Sequence, residues 1–146
     1  MSIRQRKYPD TDTFHWHNQN PNNRFTSDCV IRAISTAADI PYENVVLMLA
    51  SIQIKTGFDP SDKDGYGKLL KELGWQMCKQ PRKSDDKKYT GKEFCKALQA
   101  GRLDIENSQR IIAHIGSYHI TAIIDCKVWD NWDSTNGCIG NYWIKP

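Results

Sequence analysis

The period at which apolar residues recur along this chain changes once, near residue 110, and that change limits the fold more than any other feature. Upstream the spacing is helical: Val30, Ile31, Ala33, Ile34, Ala37 and Ala38 follow the capping candidates Ser27 and Asp28, and Val45, Val46, Leu49 and Ile52 follow Pro41. Downstream come short β-rich runs, Arg110 to Ile115, Tyr118 to Ile124, Val128 to Trp132 and Ile139 to Ile144, separated by turn residues. Helices first and strands last imply an α+β fold, a helical part packed on a C-terminal antiparallel sheet.

Between these poles the punctuation predicts smaller elements. Gly57 stops the second helix, Phe58 to Gly67 reads as a loop, a short helix runs from about Tyr66 to Leu73, and Trp75 to Lys79 reads as a strand. Thr90 to Gly101 is expected to be a helix with Thr90 and Glu93 as a capping box. The expected organisation is one domain over 1–146: an irregular arm at 1–27 that packs by Phe14, Trp16 and Phe25, a mainly helical part at 28–101, and the sheet at 110–146.

With 146 residues the chain can bury one substantial core, and its 39% hydrophobic and 25% charged residues are ordinary for a globular protein. No apolar run approaches the roughly 20 residues of a membrane span. The basic start, Met1 to Lys7, has no apolar segment behind it, so a cytoplasmic location is expected. The five cysteines are odd in number and scattered, which points to reduced thiols. A net charge of +3, with a local basic excess only around Lys79 to Lys88, does not point to nucleic acid; those charges are expected to stay in water.

A reduced thiol at the start of a helix is a nucleophile candidate, because the free N–H groups there favour the thiolate. Cys29 holds that position, and His119, opening a strand, is the candidate base. If Asp125-Cys126 forms a two-residue turn, Ile124 faces Lys127 and Thr121 faces Asp130, so Asp130 shares a side with His119 and can orient its ring. A turn longer or shorter by one residue would pass that role to Asn131 or Asp133. The backbone N–H of Cys29 and the amide of Asn23, with Asn22 beside it, are candidate oxyanion donors. Asp28 opposes a thiolate by like charge, and Arg32, one turn on, offsets it. His15, His17, Cys126 and Cys138 lack metal-ligand spacing, so neither metal nor cofactor is expected. His114, Cys78 and Cys95 read as packing residues; Trp129, Trp132, Tyr142 and Trp143 could pack the sheet or floor a peptide groove.

These residues carry a resemblance. The segment Asn23-Arg-Phe-Thr-Ser-Asp-Cys29-Val-Ile-Arg-Ala resembles the papain-type stretch in which an amide side chain precedes, by six, a cysteine opening the central helix. His119-Ile-Thr-Ala-Ile-Ile and Asp130-Asn-Trp132 resemble its histidine strand and its Asn/Asp-x-Trp strand. The match is nearest to the small papain-like, peptidase C39-like proteins of bacteria and phages, and covers roughly residues 20–40 and 112–144. It implies Cys29 as nucleophile, His119 as base, Asp130 as orienter, Asn23 as oxyanion donor, and Trp132 as a ring over the His–Asp pair at the substrate side. The activity implied is thiol hydrolysis of a peptide, isopeptide or amide bond in a protein or peptide substrate. The same triad would serve an amine acyltransferase or deamidase, and a scaffold that lost turnover would be a binding module such as a phage-encoded inhibitor. Relative to papain, Asn stands for Gln at the oxyanion position and Asp for Asn as orienter.

Overall fold

The structure is a computed structural model and describes residues 1–146. Its elements are α1 (Ile3–Lys7), β1 (Phe14–Trp16), α2 (Cys29–Ala38), α3 (Tyr42–Thr56), α4 (Lys63–Glu72), β2 (Gln76–Cys78), α5 (Gly91–Gln99), β3 (Ile111–Ile115), β4 (His119–Ile124), β5 (Lys127–Asp130) and β6 (Ile139–Ile144). Five helices accompany one mixed six-stranded sheet of order β1-β5-β4-β3-β6-β2, so the α+β expectation holds.

Local chemistry sets most boundaries. Pro41 precedes α3, and Gly57, at φ +76°, ends it with its N–H on Gln53 O. The capping box of α5 is complete: Thr90 Oγ1 accepts from Glu93 N–H at 3.2 Å, and Glu93 Oε1 accepts from Thr90 N–H at 3.0 Å. The Asp125-Cys126 pair forms the expected two-residue turn, both residues at positive φ (50° and 60°) as a type I′ hairpin requires, and Ile124 pairs with Lys127.

Three expectations are corrected. The arm is not wholly irregular, since it contains α1 and β1. The sheet is not purely antiparallel: β1 joins it parallel to β5, with Phe14 beside Val128 and Trp16 beside Asp130. A strand of three residues is too short for a period to show. The expected loop from Phe58 to Gly67 is interrupted because α4 begins at Lys63. Gly65 permits that early start, since a Cβ there would lie 2.2 Å from Asp59 O.

Strand alternation divides the interior. Ile112, Ile120, Ala122 and Trp143 pack with α2, α3 and α4, where Ile34, Val45 and Leu70 are fully buried. Ile111, Ala113, Ile115, Ile123 and Val128 pack with Phe94, Cys95 and Leu98 of α5 and with Phe14. Truncating Ile34 or Phe94 to alanine would cost about 2–5 kcal/mol each. No helix is long and apolar enough to cross a membrane.

Candidate active site

The first turn of α2 meets the end of the β4–β5 ladder, and this junction gathers most of the charge that the protein buries. Asp130 is 2% exposed and accepts four hydrogen bonds. His119 Nε2 lies 2.6 Å and Thr121 Oγ1 2.7 Å from its Oδ2; Arg32 Nη1, at 2.5 Å, and the Asn131 N–H, at 2.7 Å, reach its Oδ1. Continued from Ala122 beside Trp129, the hairpin register puts Thr121 opposite Asp130 and His119 two residues further along the same face, so both reach one oxygen. Neither Asn131 nor Asp133 takes that role: Asn131 Nδ2 contacts Asn18, and Asp133 Oδ1 accepts from the N–H and hydroxyl of Thr135.

Arg32 also donates from Nε to Asp28 Oδ1 at 2.8 Å. Asp28 Oδ2 in turn accepts from Tyr42 Oη at 2.7 Å and Asn20 Nδ2 at 3.0 Å. The residue before the cysteine is thus tied through one guanidinium to the carboxylate behind the histidine. A helix of otherwise apolar or small residues carries a charged side chain inward only when partners neutralise it, and both partners are present. Asp28 does not cap α2 as expected from its position; its oxygens are taken by side chains, leaving the first-turn amides without a side-chain acceptor.

Electrostatics follow from this geometry. Burial alone would raise the Cys29 thiol, but the hydrogen bond and charge of His119, the Ile120 N–H and the Arg32 charge together hold it below the ordinary thiol range. Burial works against the charged His119 ring, yet the bonds and charges of Asp130 and Cys29 outweigh it and push the ring up to about 9. With Nε2 committed to Asp130, Nδ1 is the nitrogen left for the sulfur. Asp130 is likewise opposed by burial and held below the usual carboxylate range by His119, Arg32 and Thr121. Tyr66, packed in the same apolar cluster, is pushed up to about 12 by burial and by the charges of Cys29 and Asp62. Each group of the Cys29–His119 pair thus favours the charged form of the other: the imidazolium lowers the thiol, and the thiolate raises the ring.

The sulfur opens into a cleft of about 330 Å³, lined among others by Ser27, Cys29, His119, Asn131 and Trp132. Trp132 lies tilted against the His119 ring, centroids 4.8 Å apart, which limits water at the His–Asp bond. Asn22 and Asn23 do not join the site. Both are exposed in a turn wound about Asn20, whose Oδ1 takes the Asn22 N–H at 2.9 Å, and Asn23 sits at φ 53° with its N–H on Asn20 O. Sequence distance from the cysteine says nothing of how a coil bends, and here it bends so that Asn20, not Asn23, faces the helix start. Sequence places Thr121 opposite Asp130 without giving it a role, and it gives no place to Tyr42 or Asn20; their one signal is an aspartate and an arginine spaced i, i+4 on an apolar helix. His114 is partly buried in β3, and Cys95 is fully buried.

Comparison with protein-family models, with curated proteins and with solved structures gives no match for this chain.

Proposed function

We propose that the protein is a papain-like thiol hydrolase that cleaves a peptide, isopeptide or amide bond. The observation that carries this reading is that Cys29, at an uncapped helix start, shares one cleft with a His119 ring held by Asp130. The α+β arrangement, with α2 against the sheet, is compatible with a papain-like fold.

In the cycle, the Cys29 thiolate adds to the scissile carbonyl carbon, and the carbonyl π pair moves to oxygen. The developing oxyanion is met by the Cys29 N–H, which no intrahelical acceptor claims. As the C–N bond breaks, its electron pair takes the proton from His119 Nδ1, releasing an amine and leaving a thioester. Water then gives its proton to the neutral ring while its oxygen adds to the thioester, and expulsion of the thiolate restores the ion pair. Asp130 remains ionised throughout, because Arg32, Thr121 and the Asn131 N–H stabilise its charge in both states. Its contribution is to hold the ring's orientation and favour its protonated form.

The test is alkylation by iodoacetamide at pH 6, read by peptide mass mapping. Cys29 is expected to react well ahead of the exposed Cys138, with an epoxysuccinyl peptide probe labelling Cys29 alone. Faster labelling of Cys138 would overturn the reading.

A further inference from the structure

We infer that the sheet edge at β2 is a docking site for an extended acidic polypeptide segment, separate from the thiol cleft. The two edges of the sheet are built differently. At β1 the outward backbone groups are closed by the chain itself: Trp16 N–H donates to Asp10 Oδ1 at 2.7 Å, and Phe14 O accepts from Thr11 N–H at 2.8 Å. At β2 the inner side pairs with β6, from Gln76 beside Ile144 to Cys78 beside Tyr142. Its outer side has no backbone partner; the single contact is the Cys78 thiol, 4.0 Å from Gln76 O. A bare edge next to a binding surface is where an added strand finds its main-chain bonds.

The surface beside this edge suits such a strand. A hollow of about 780 Å³ lies between β2 and α4, larger than the thiol cleft, with Trp75 and Trp143 among its walls. Two of the protein's exposed large apolar side chains, Met77 at 53% and Phe58 at 43% exposure, border it. Gly67 lies mid-helix facing the hollow, with nothing within 4 Å of where a Cβ would be. Glycine there costs α4 roughly 1 kcal/mol relative to alanine, and no packing within the protein requires it. What it provides is room.

Charge selects the occupant. Lys63, Lys68 and Lys71 of α4 border the hollow against the single Asp64, and the Lys68 ammonium lies 5.5 Å from the Phe58 ring. Lys63 and Lys71 are eight residues apart, about 12 Å along the helix. Carboxylates at alternate positions of a strand recur about every 6.6–7 Å, so three of them span that distance with the middle one near Lys68. A nucleic-acid backbone could meet the lysines but could not pair with a strand edge, so the open edge favours a polypeptide.

The experiment uses the intact protein and a fluorescein-labelled peptide of alternating Glu and Val or Leu, followed by anisotropy at low and physiological salt. Saturable binding is expected that weakens at least tenfold in the K63E/K68E/K71E variant. It should also weaken when alternate peptide amides are N-methylated, which removes donors without altering the protein. The variant's Cys29 alkylation rate, which this proposal leaves unchanged, verifies that it is folded. Equal binding of the corresponding lysine peptide, indifference to N-methylation, or tighter binding of a thymidine oligonucleotide would each overturn the proposal. None of these outcomes bears on Cys29 chemistry, so the two readings fail separately.

Discussion

Cys29 on α2 and Cys95 on α5 are helix cysteines on opposite sides of the same sheet, and the protein drives them in opposite directions. Cys95 is fully buried among Phe94, Leu98 and Val128; burial and the neighbouring Cys126 push its thiol up to about 12. Cys29 is also largely buried, yet its thiol is lowered, because an imidazole, a strand N–H and a guanidinium face it. Removal from water therefore does not decide reactivity; the partners do. Apolar packing stores a thiol, and a hydrogen-bonded charge network activates one.

The sharpest way to break this contrast is to remove the imidazole. His119→Ala should slow Cys29 alkylation at pH 6 by about 100-fold or more and move its onset up toward the ordinary thiol range, so that it resembles an unassisted cysteine. Stopped-flow alkylation across pH reads this directly, and an unchanged onset would mean the helix start alone activates the sulfur.

Next in size is Arg32→Met, which leaves Asp28 and Asp130 buried without their shared cation. A loss of about 3–5 kcal/mol in urea unfolding is expected, against little for an exposed lysine such as Lys55.

Titration sharpens the comparison further. The His119 ring should change protonation near 9 by NMR, well above its ordinary 6.5, and fall back in Asp130→Asn. Because the folded value is raised, the protonated ring's stabilisation is complete below about 6.5 and lost as pH rises through about 9. In the native protein the lowered Cys29 thiol releases a proton that offsets this slope. Cys29→Ser removes the offset together with the sulfur's share of the ring's shift, so its stability should fall with pH by on the order of 1 kcal/mol per unit above about 6.5, over a window that closes below 9.

The smallest effect is expected on the storage side: Cys95→Ala should cost about 1 kcal/mol in unfolding and leave Cys29 alkylation unchanged.

How much of this was legible in sequence depends on the range of the interaction involved. The Thr90–Glu93 box, the Pro41 start and the Gly57 stop are local, and each lies where residue chemistry puts it. The pairing of His119 with Asp130 was also within reach, because a two-residue turn fixes every opposite pair by counting. β1 was hidden because its partner β5 lies more than a hundred residues away and its own run is three residues long. Asn23 was misplaced for a related reason: six residues of coil fix a maximum reach but no direction. The Arg32 bridge needed both ends of the chain at once, one carboxylate four residues before it and the other ninety-eight after.

The turn at Asp125-Cys126 then matters beyond its size. It lies about 17 Å of strand from His119 and touches nothing in the cleft, yet it works as a gear tooth for the whole hairpin. Inserting one residue there would advance β5 by a half-period and offer the imidazole the Trp129 indole in place of a carboxylate. A screen for folded variants with slow Cys29 alkylation would then collect insertions at this loop, far from the sulfur itself.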